Sequence, residues 1–265
     1  MTAKSKILKH IDEYGHITID KFFKISMHDP EHGYYSKKNP IGEESDFITA
    51  PEISQIFGET IAAFLAHQIM ENLKEYDHIQ IVELGAGKGT LLNDILRTFN
   101  KLKITSSKKI SIKIFDINES LIESQKKLLQ NHDNFQLEWI TNLEKLEDKP
   151  TIFIANEFFD ALPSKQFIFK DNCWQERTIC IDENQNFCFS STSQENQDEG
   201  FKDLLSKTPT EDDILEFSQT SINVMQQLAE QIKQHKGIIF IIDYGYLKTQ
   251  FGDTLQSIYR HNYNS

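Results

Sequence analysis

Apolar residues along this chain follow two periods. From residue 79 onward, short apolar runs alternate with stretches of helical spacing. The runs predict strands over 79–83, 111–116, 135–140, 151–156 and 237–243, and the helical stretches predict helices over 90–99, 121–129 and 221–234. Strand–helix alternation of this kind builds a parallel sheet covered on both faces. Three further runs, 166–170, 174–181 and 187–191, break the alternation and read as antiparallel additions. Residues 192–213 are polar and acidic and read as a solvated loop. The run Gly-Ile-Ile-Phe-Ile-Ile-Asp at 237–243 is apolar on both alternating sets of positions, which predicts a strand buried on both faces in a sheet interior.

Ahead of the alternation the pattern is weaker. Residues 1–20 read as a short amphipathic helix with Ile7, Leu8 and Ile11 on one face. Residues 21–50 carry turn signals at Asp29-Pro30, Gly33, Asn39-Pro40 and Gly42 and few periodic apolar positions. They predict a long irregular segment of the kind that is usually functional or disordered, and the aromatics Phe22, Phe23, Tyr34, Tyr35 and Phe47 favour order. A helix is expected from about Pro51, capped by Thr49, with Ile53, Phe57, Ile61, Phe64, Leu65 and Ile69 at helical spacing. The division that follows is an N-terminal extension over 1–76, then a core over 77–265 with an insertion at about 164–220.

Composition narrows the function. The 265 residues carry a formal charge of −12, which opposes a general electrostatic grip on nucleic acid and suits a basic protein segment or a cationic small molecule. The three cysteines, Cys173, Cys180 and Cys188, have no Cys-x-x-Cys spacing, so reduced thiols are expected and a metal site is not. The first residues lack an apolar core and contain Asp12 and Glu13, which reads as a cytoplasmic chain without a secretory or transit segment. No apolar run is long enough for a membrane span.

The candidate chemistry begins at Glu83-Leu84-Gly85-Ala86-Gly87-Lys88-Gly89-Thr90, between a strand and a helix. Glycines there let the backbone turn tightly and let a ligand approach the main chain. Lys88 is followed by Gly89, so the P-loop spacing fails, and Gly89 comes one residue early for the dinucleotide fingerprint. A carboxylate at Glu83 disfavours a nearby pyrophosphate but suits a ligand with an ammonium and a sulfonium, as in S-adenosylmethionine. Asp116, ending the second strand, can accept hydrogen bonds from both ribose hydroxyls. Gly85, Gly87, Gly89, Glu83 and Asp116 are therefore the expected cofactor residues. A tight turn with no ligand is the alternative. Asn156-Glu157 follows the fourth strand, where ligands of such sheets bind. This places Asn156 at the cofactor and Glu157 and Asp160 beside the methyl donor, unless Glu157 merely starts a helix with Asp160 on its surface.

Other blocks carry a resemblance. Gly33-Tyr34-Tyr35, Asp46-Phe47-Ile48-Thr49-Ala50-Pro51-Glu52-Ile53-Ser54, Phe57-Gly58-Glu59, the glycine loop, Asp116 with Leu121 and Gln125, and Asn156-Glu157-Phe158-Phe159-Asp160-Ala161-Leu162-Pro163 appear in order. They are followed by Trp174-Gln175-Glu176-Arg177, Asp243-Tyr244-Gly245, Gly252-Asp253-Thr254-Leu255-Gln256 and His261. Together they resemble the MidA-like family of S-adenosylmethionine-dependent methyltransferases. That family includes a mitochondrial complex I assembly factor that is a protein arginine methyltransferase. The resemblance implies a Rossmann-like class I methyltransferase core with an N-terminal helical and irregular extension over the cofactor and an inserted antiparallel β region. It also implies that Thr49, Ala50, Pro51 and Glu52 lie near the pocket. His261 is a candidate to position or polarise a substrate, against the alternative that a lone histidine at this place is structural or exposed. Asp116 stands where the family usually has Glu, and Ser45 where glycine is common. Family members continue well past the position of His261, so the last antiparallel strands of the class are expected to be missing after residue 243. In that case the edge of the 237–243 strand is covered by the 166–191 additions or by another chain, or the chain is part of a longer one.

Two functions follow from the resemblance. One is methyl transfer from S-adenosylmethionine to an arginine of a protein substrate, linked to respiratory complex assembly, with Glu157, Asp160 and His261 as catalytic candidates. The other is an assembly module that keeps the cofactor pocket and acts as a chaperone for a partner protein. A dehydrogenase is opposed by the glycine spacing.

Overall fold

The computed structural model describes residues 2–36, 49–106, 108–195, 208–247, 250–259 and 262–264. Its centre is a five-stranded parallel sheet. β2 (His78–Leu84) lies between β3 (Lys109–Phe115) and β5 (Thr151–Asn156), with β4 (Gln136–Ile140) outside β3 and β10 (Gly237–Ile242) outside β5. The alternation read from the sequence is this sheet, and each predicted strand matches an observed one to within about two residues.

Helices cover both faces because the central strands are apolar on both. On one face Ile79, Ile81, Ile112 and Ile154 pack against α4 (Gln55–Asn72) and α5 (Thr90–Lys101). On the other, Val82, Leu84, Phe153 and Ala155 pack against Leu228 of α7 (Gln219–His235). The helix α6 (Glu119–Leu129) starts at Asn118, whose side chain accepts from Ser120 N and Leu121 N. The expected helix from Pro51 is divided in two. The short α3 (Ala50–Ile53) ends at Ser54, which is extended and caps α4 through Ile56 N. Thr49 makes no side-chain cap bond. The helix read over 1–20 is also shorter than expected. α1 (Ala3–Tyr14) buries Ile7 and Ile11, whereas Leu8 is exposed.

The segment expected to be irregular contains a helix, α2 (Ile19–His28), which follows the two-residue strand β1 (Ile17–Thr18). β1 pairs antiparallel with β7 (Cys173–Ile181), and α1, β1 and α2 bury Ile7, Ile11, Ile17 and Ile19 against Ile179. The additions form a separate antiparallel sheet, in which β7 pairs with β6 (Lys165–Lys170) and β8 (Phe187–Glu195), and β6 pairs with β9 (Ile214–Phe217). The region read as a loop over 192–213 thus begins inside β8.

The strand β10 corrects one expectation. It is half-buried, with Ile241 exposed, and it stands at the edge of the parallel sheet, not inside it. Among the described strands only β5 pairs with it, so the additions over 166–191 do not cover its free side. Two short strands, β11 (Ser257–Tyr259) and β12 (Asn262–Asn264), pair with each other and not with that edge. The segment between is anchored on the antiparallel sheet. There Arg177 holds Asp253 at 2.6 Å, and Gly252 N donates to Ile214 O at 2.7 Å.

Candidate functional site

Parallel pairing sends all five central strands to one carboxyl-end rim, where three carboxylates and an amide gather. Glu83 is the penultimate residue of β2, Asp116 follows β3, Asn156 ends β5, and Asp243 follows β10.

The turn from β2 into α5 is made by the glycine loop. Gly85, Gly87 and Gly89 have φ of 64°, 55° and 89°, a region that other residues enter only under strain. A Cβ at Gly85 would also lie 2.8 Å from Cδ2 of Phe158. Gln125, fully buried on α6, ties this loop to the neighbouring strand. Its Nε2 donates to Gly87 O at 2.8 Å and to Asp116 Oδ2 at 2.7 Å, while its Oε1 accepts from Trp139 Nε1 at 2.9 Å. Asp116 Oδ1 accepts from Asn118 N at 2.9 Å. Burial holds the Asp116 carboxyl above its ordinary range, against the pull of these hydrogen bonds.

Glu83 is 2% exposed, and its Oε2 has no partner among the described residues. Burial, with the charge of Asp116 added, pushes its carboxyl up to about 8. A buried acid with an empty oxygen, next to a second buried acid, is costly unless a cation or donor meets it. Asn156 Oδ1 is likewise buried without a partner among the described residues.

The residues expected near the pocket from α3 are there in part. Glu52 accepts from the Thr90 hydroxyl and lies 3.8 Å from Lys88 Nζ, so it clamps the glycine loop to the first turn of α5. Pro51 is buried and Ala50 and Thr49 are half-buried, which makes this block a wall of the loop. His261 and the segment 37–48 lie outside the described residues.

Beyond β5 the chain turns and does not start a helix, so Glu157 is not a helix N-terminus. Glu157 has φ of 49°, a left-handed conformation that costs about 1 kcal/mol or more for a residue with a Cβ. Its N–H donates to Ile242 O at 2.8 Å. Asp243 fixes the following turn. Its Oδ2 accepts from Phe159 N at 2.8 Å and from Asp160 N at 3.3 Å, and its Oδ1 accepts from Tyr244 N at 2.8 Å. Burial and then the charge of Asp243 push Asp160 up to about 6. Burial, then Asp160, then Asp243 raise Glu157 as well. Asp243 and Gln125 were legible only as parts of the resemblance. A carboxylate directly after the apolar run 237–242 is the sequence signal that could have found the first.

The extension reaches the same rim. His28 bonds Ala161 O through Nε2 at 2.8 Å and stacks on Tyr35 with ring centroids 5.3 Å apart. The Tyr35 carbonyl accepts from Asn118 Nδ2.

These residues fit S-adenosylmethionine on their own chemistry. The orphaned Glu83 oxygen suits a cationic centre, the glycine loop leaves main chain open to approach, and Asp116 is a buried acceptor one strand away. A Rossmann-like parallel sheet carrying this loop and these acids on one rim is the core of a class I methyltransferase. The comparisons give the same class. Residues 61–265 match the family described as "Putative S-adenosyl-L-methionine-dependent methyltransferase", and the chain belongs to that family. It is 30% identical, over 98% of its length, to "Protein arginine methyltransferase NDUFAF7, mitochondrial" of Danio rerio, and covers 66% of that protein. It is 28% identical, over 92% of its length, to the Caenorhabditis elegans homolog of the same name, and covers 61% of it. The chain thus spans under two thirds of the length of these relatives. Among solved structures, a COG1565 superfamily member from Burkholderia thailandensis bound to S-adenosyl-homocysteine shares the fold. It has a TM-score of 0.77 at 22% identity, with 98% of this chain and 68% of that one covered. Both named relatives are mitochondrial proteins, which overturns the cytoplasmic expectation. No helix among the described residues is long and apolar enough to cross a membrane.

Proposed function

We propose that this chain transfers the methyl group of S-adenosylmethionine to a side-chain nitrogen of a protein arginine. The observation that carries this reading is the carboxylate pair of Glu157 and Asp160 on the turn after β5, on the same rim as the glycine loop and Glu83. The relatives named as protein arginine methyltransferases support it.

When bound, the cofactor supplies an electrophilic methyl group on sulfur. The chain supplies position. Glu83 would meet a cationic part of the cofactor, Asp116 would accept from its ribose, and the turns of Gly85, Gly87 and Gly89 would admit it to the main chain. Thr49 to Glu52 wall the loop, and Asn156 Oδ1 offers a buried acceptor between the two halves of the rim. A guanidinium has only donors and keeps its charge to a pKa above about 12. Glu157 and Asp160 can pair with its N–H groups and so hold one nitrogen toward the methyl group. As that nitrogen takes the methyl it gives up a proton, for which a carboxylate of this pair is the nearby base.

Incubating the protein with S-adenosylmethionine labelled on the methyl group, together with a lysate of cells lacking it, tests the reading. Label should appear in protein and be recovered as methylarginine after hydrolysis. Glu157→Gln should lose most of the transfer while binding the cofactor nearly as well, because the amide keeps size but not charge. Transfer at the unmutated rate would make Glu157 structural and remove the support for an arginine acceptor. Label recovered only on other residues would do the same.

A further inference from the structure

Tyr35 has a position that packing alone does not explain. The turn that carries it is pinned from several sides. The Asp29 carboxylate takes Lys6 Nζ at 2.7 Å and the main-chain N–H groups of Glu31 and His32. Ser36 Oγ donates to Asp29 O at 2.5 Å. A Cβ at Gly33 would lie 2.4 Å from Asp29 N, so the turn closes only around glycine.

The held turn spans both halves of the rim. On the cofactor side the Tyr35 carbonyl takes Asn118 Nδ2, and Asn118 N donates to Asp116 Oδ1. On the other side the Tyr35 ring stacks on His28, whose Nε2 bonds the carbonyl of Ala161, the residue after Asp160. Burial lowers the His28 pKa, so the ring is neutral and Nε2–H is the donor. Tyr34 meets Tyr35 edge-on at 5.7 Å. No described residue accepts from the Tyr35 hydroxyl. Burial first, then the charges of Asp160 and Glu157, raise the pKa of that phenol, so it keeps its proton and remains a donor.

We propose that Tyr35 positions the methyl acceptor: its ring, carried to the Glu157–Asp160 turn by the His28 stack and the Asn118 bond, leaves its hydroxyl to take an N–H of the acceptor's guanidinium alongside the carboxylates that pair with it. This rests on the arginine reading above. A phenol can donate to a carboxylate and accept an N–H at once. Two carboxylates and a phenol oxygen offer more acceptors than the three donors of an ammonium use, and match the fork of a guanidinium. The arrangement therefore favours arginine over lysine.

The test compares unmutated protein, Tyr35→Phe and Tyr35→Leu, each saturated with S-adenosyl-homocysteine, for binding of an arginine-rich and a lysine-rich peptide of equal charge. Methyl transfer to the arginine peptide is measured in parallel. The phenylalanine keeps the ring and its His28 stack. It should weaken arginine-peptide binding and raise KM about tenfold, leave kcat within about twofold, and leave cofactor affinity and lysine-peptide binding unchanged. The leucine should also weaken the cofactor, because it loosens the turn tied to Asn118. Arginine binding by Tyr35→Phe equal to that of the unmutated protein overturns the role of the hydroxyl while leaving the arginine reading intact. Equal losses for both peptides would show a structural role only and also overturn it. Unmutated protein that neither prefers nor methylates the arginine peptide overturns the arginine reading and this proposal together.

Discussion

Glu83 shows how much a single residue can reveal and how much only the fold supplies. Its place at the end of an apolar run, just before the glycines, marked a binding carboxylate. That it is sealed from solvent with one oxygen unpaired could not be read from the sequence, because it depends on Asp116 arriving on the next strand. The pKa carries a prediction. Glu83 titrates at about 8 in the folded chain, against about 4.5 in the unfolded one. The folded state then binds the extra proton, so its contribution is fully present below about 4.5 and is lost as pH rises towards 8. Glu83→Gln should remove that slope and make the cofactor-free protein more stable at pH 8, on the order of a few kcal/mol, in urea melts across this window. Cofactor affinity should fall in the same variant. A pH slope unchanged in the variant would show that Glu83 is not the group responsible. Asp160, pushed up to about 6, works in the opposite sense for activity. Its charged form is the one that pairs with a guanidinium, so methyl transfer should fall as pH drops through about 6. A rate flat from pH 5 to 8 would contradict that role.

Among the elements, regular periodicity was legible and interruptions were not. The strands of the parallel sheet stand out because each is a compact apolar run between turns. The helix α2 does not, because its apolar residues Phe22, Phe23 and Ile25 share a stretch with Lys21 and Lys24, and it gains its burial from β7, which lies more than 140 positions later. The break at Ser54 was also hidden, since the apolar spacing continues across it. The turn after β5 depends on Asp243, which holds Phe159 N and Asp160 N. Asp243→Ala leaves both donors without that partner, at about 1–3 kcal/mol for the group. It should lower the melting temperature and, by freeing the turn, cut methyl transfer more than cofactor binding. Equal effects on both, or none, would place the turn's order elsewhere.

On the scale of the whole molecule, the parallel sheet ends at β4 on one side and at β10 on the other, and among the described strands only β5 pairs with β10. An apolar strand with one unpaired edge is a template for another strand. Ile241 is exposed on it, and Phe64 of α4 stacks near Phe240 with centroids 5.1 Å apart, itself partly exposed. Sedimentation should show association that grows with concentration. Ile241→Lys should suppress it without lowering the melting temperature, and association unaffected by the lysine would place the contact on another surface.

Methyl transfer by this chain requires the rim between the glycine loop, Glu83 and Asp116 to be a site for S-adenosylmethionine. Calorimetric titration of the cofactor into the unmutated chain and into Gly87→Val, with circular dichroism to confirm that both are folded, tests this most directly. The unmutated chain should bind one equivalent and the valine variant none, because a branched side chain would occupy the space the ligand needs on a backbone at φ of 55°. Equal affinity in the two folded proteins, or no binding by the unmutated chain, would contradict the assignment.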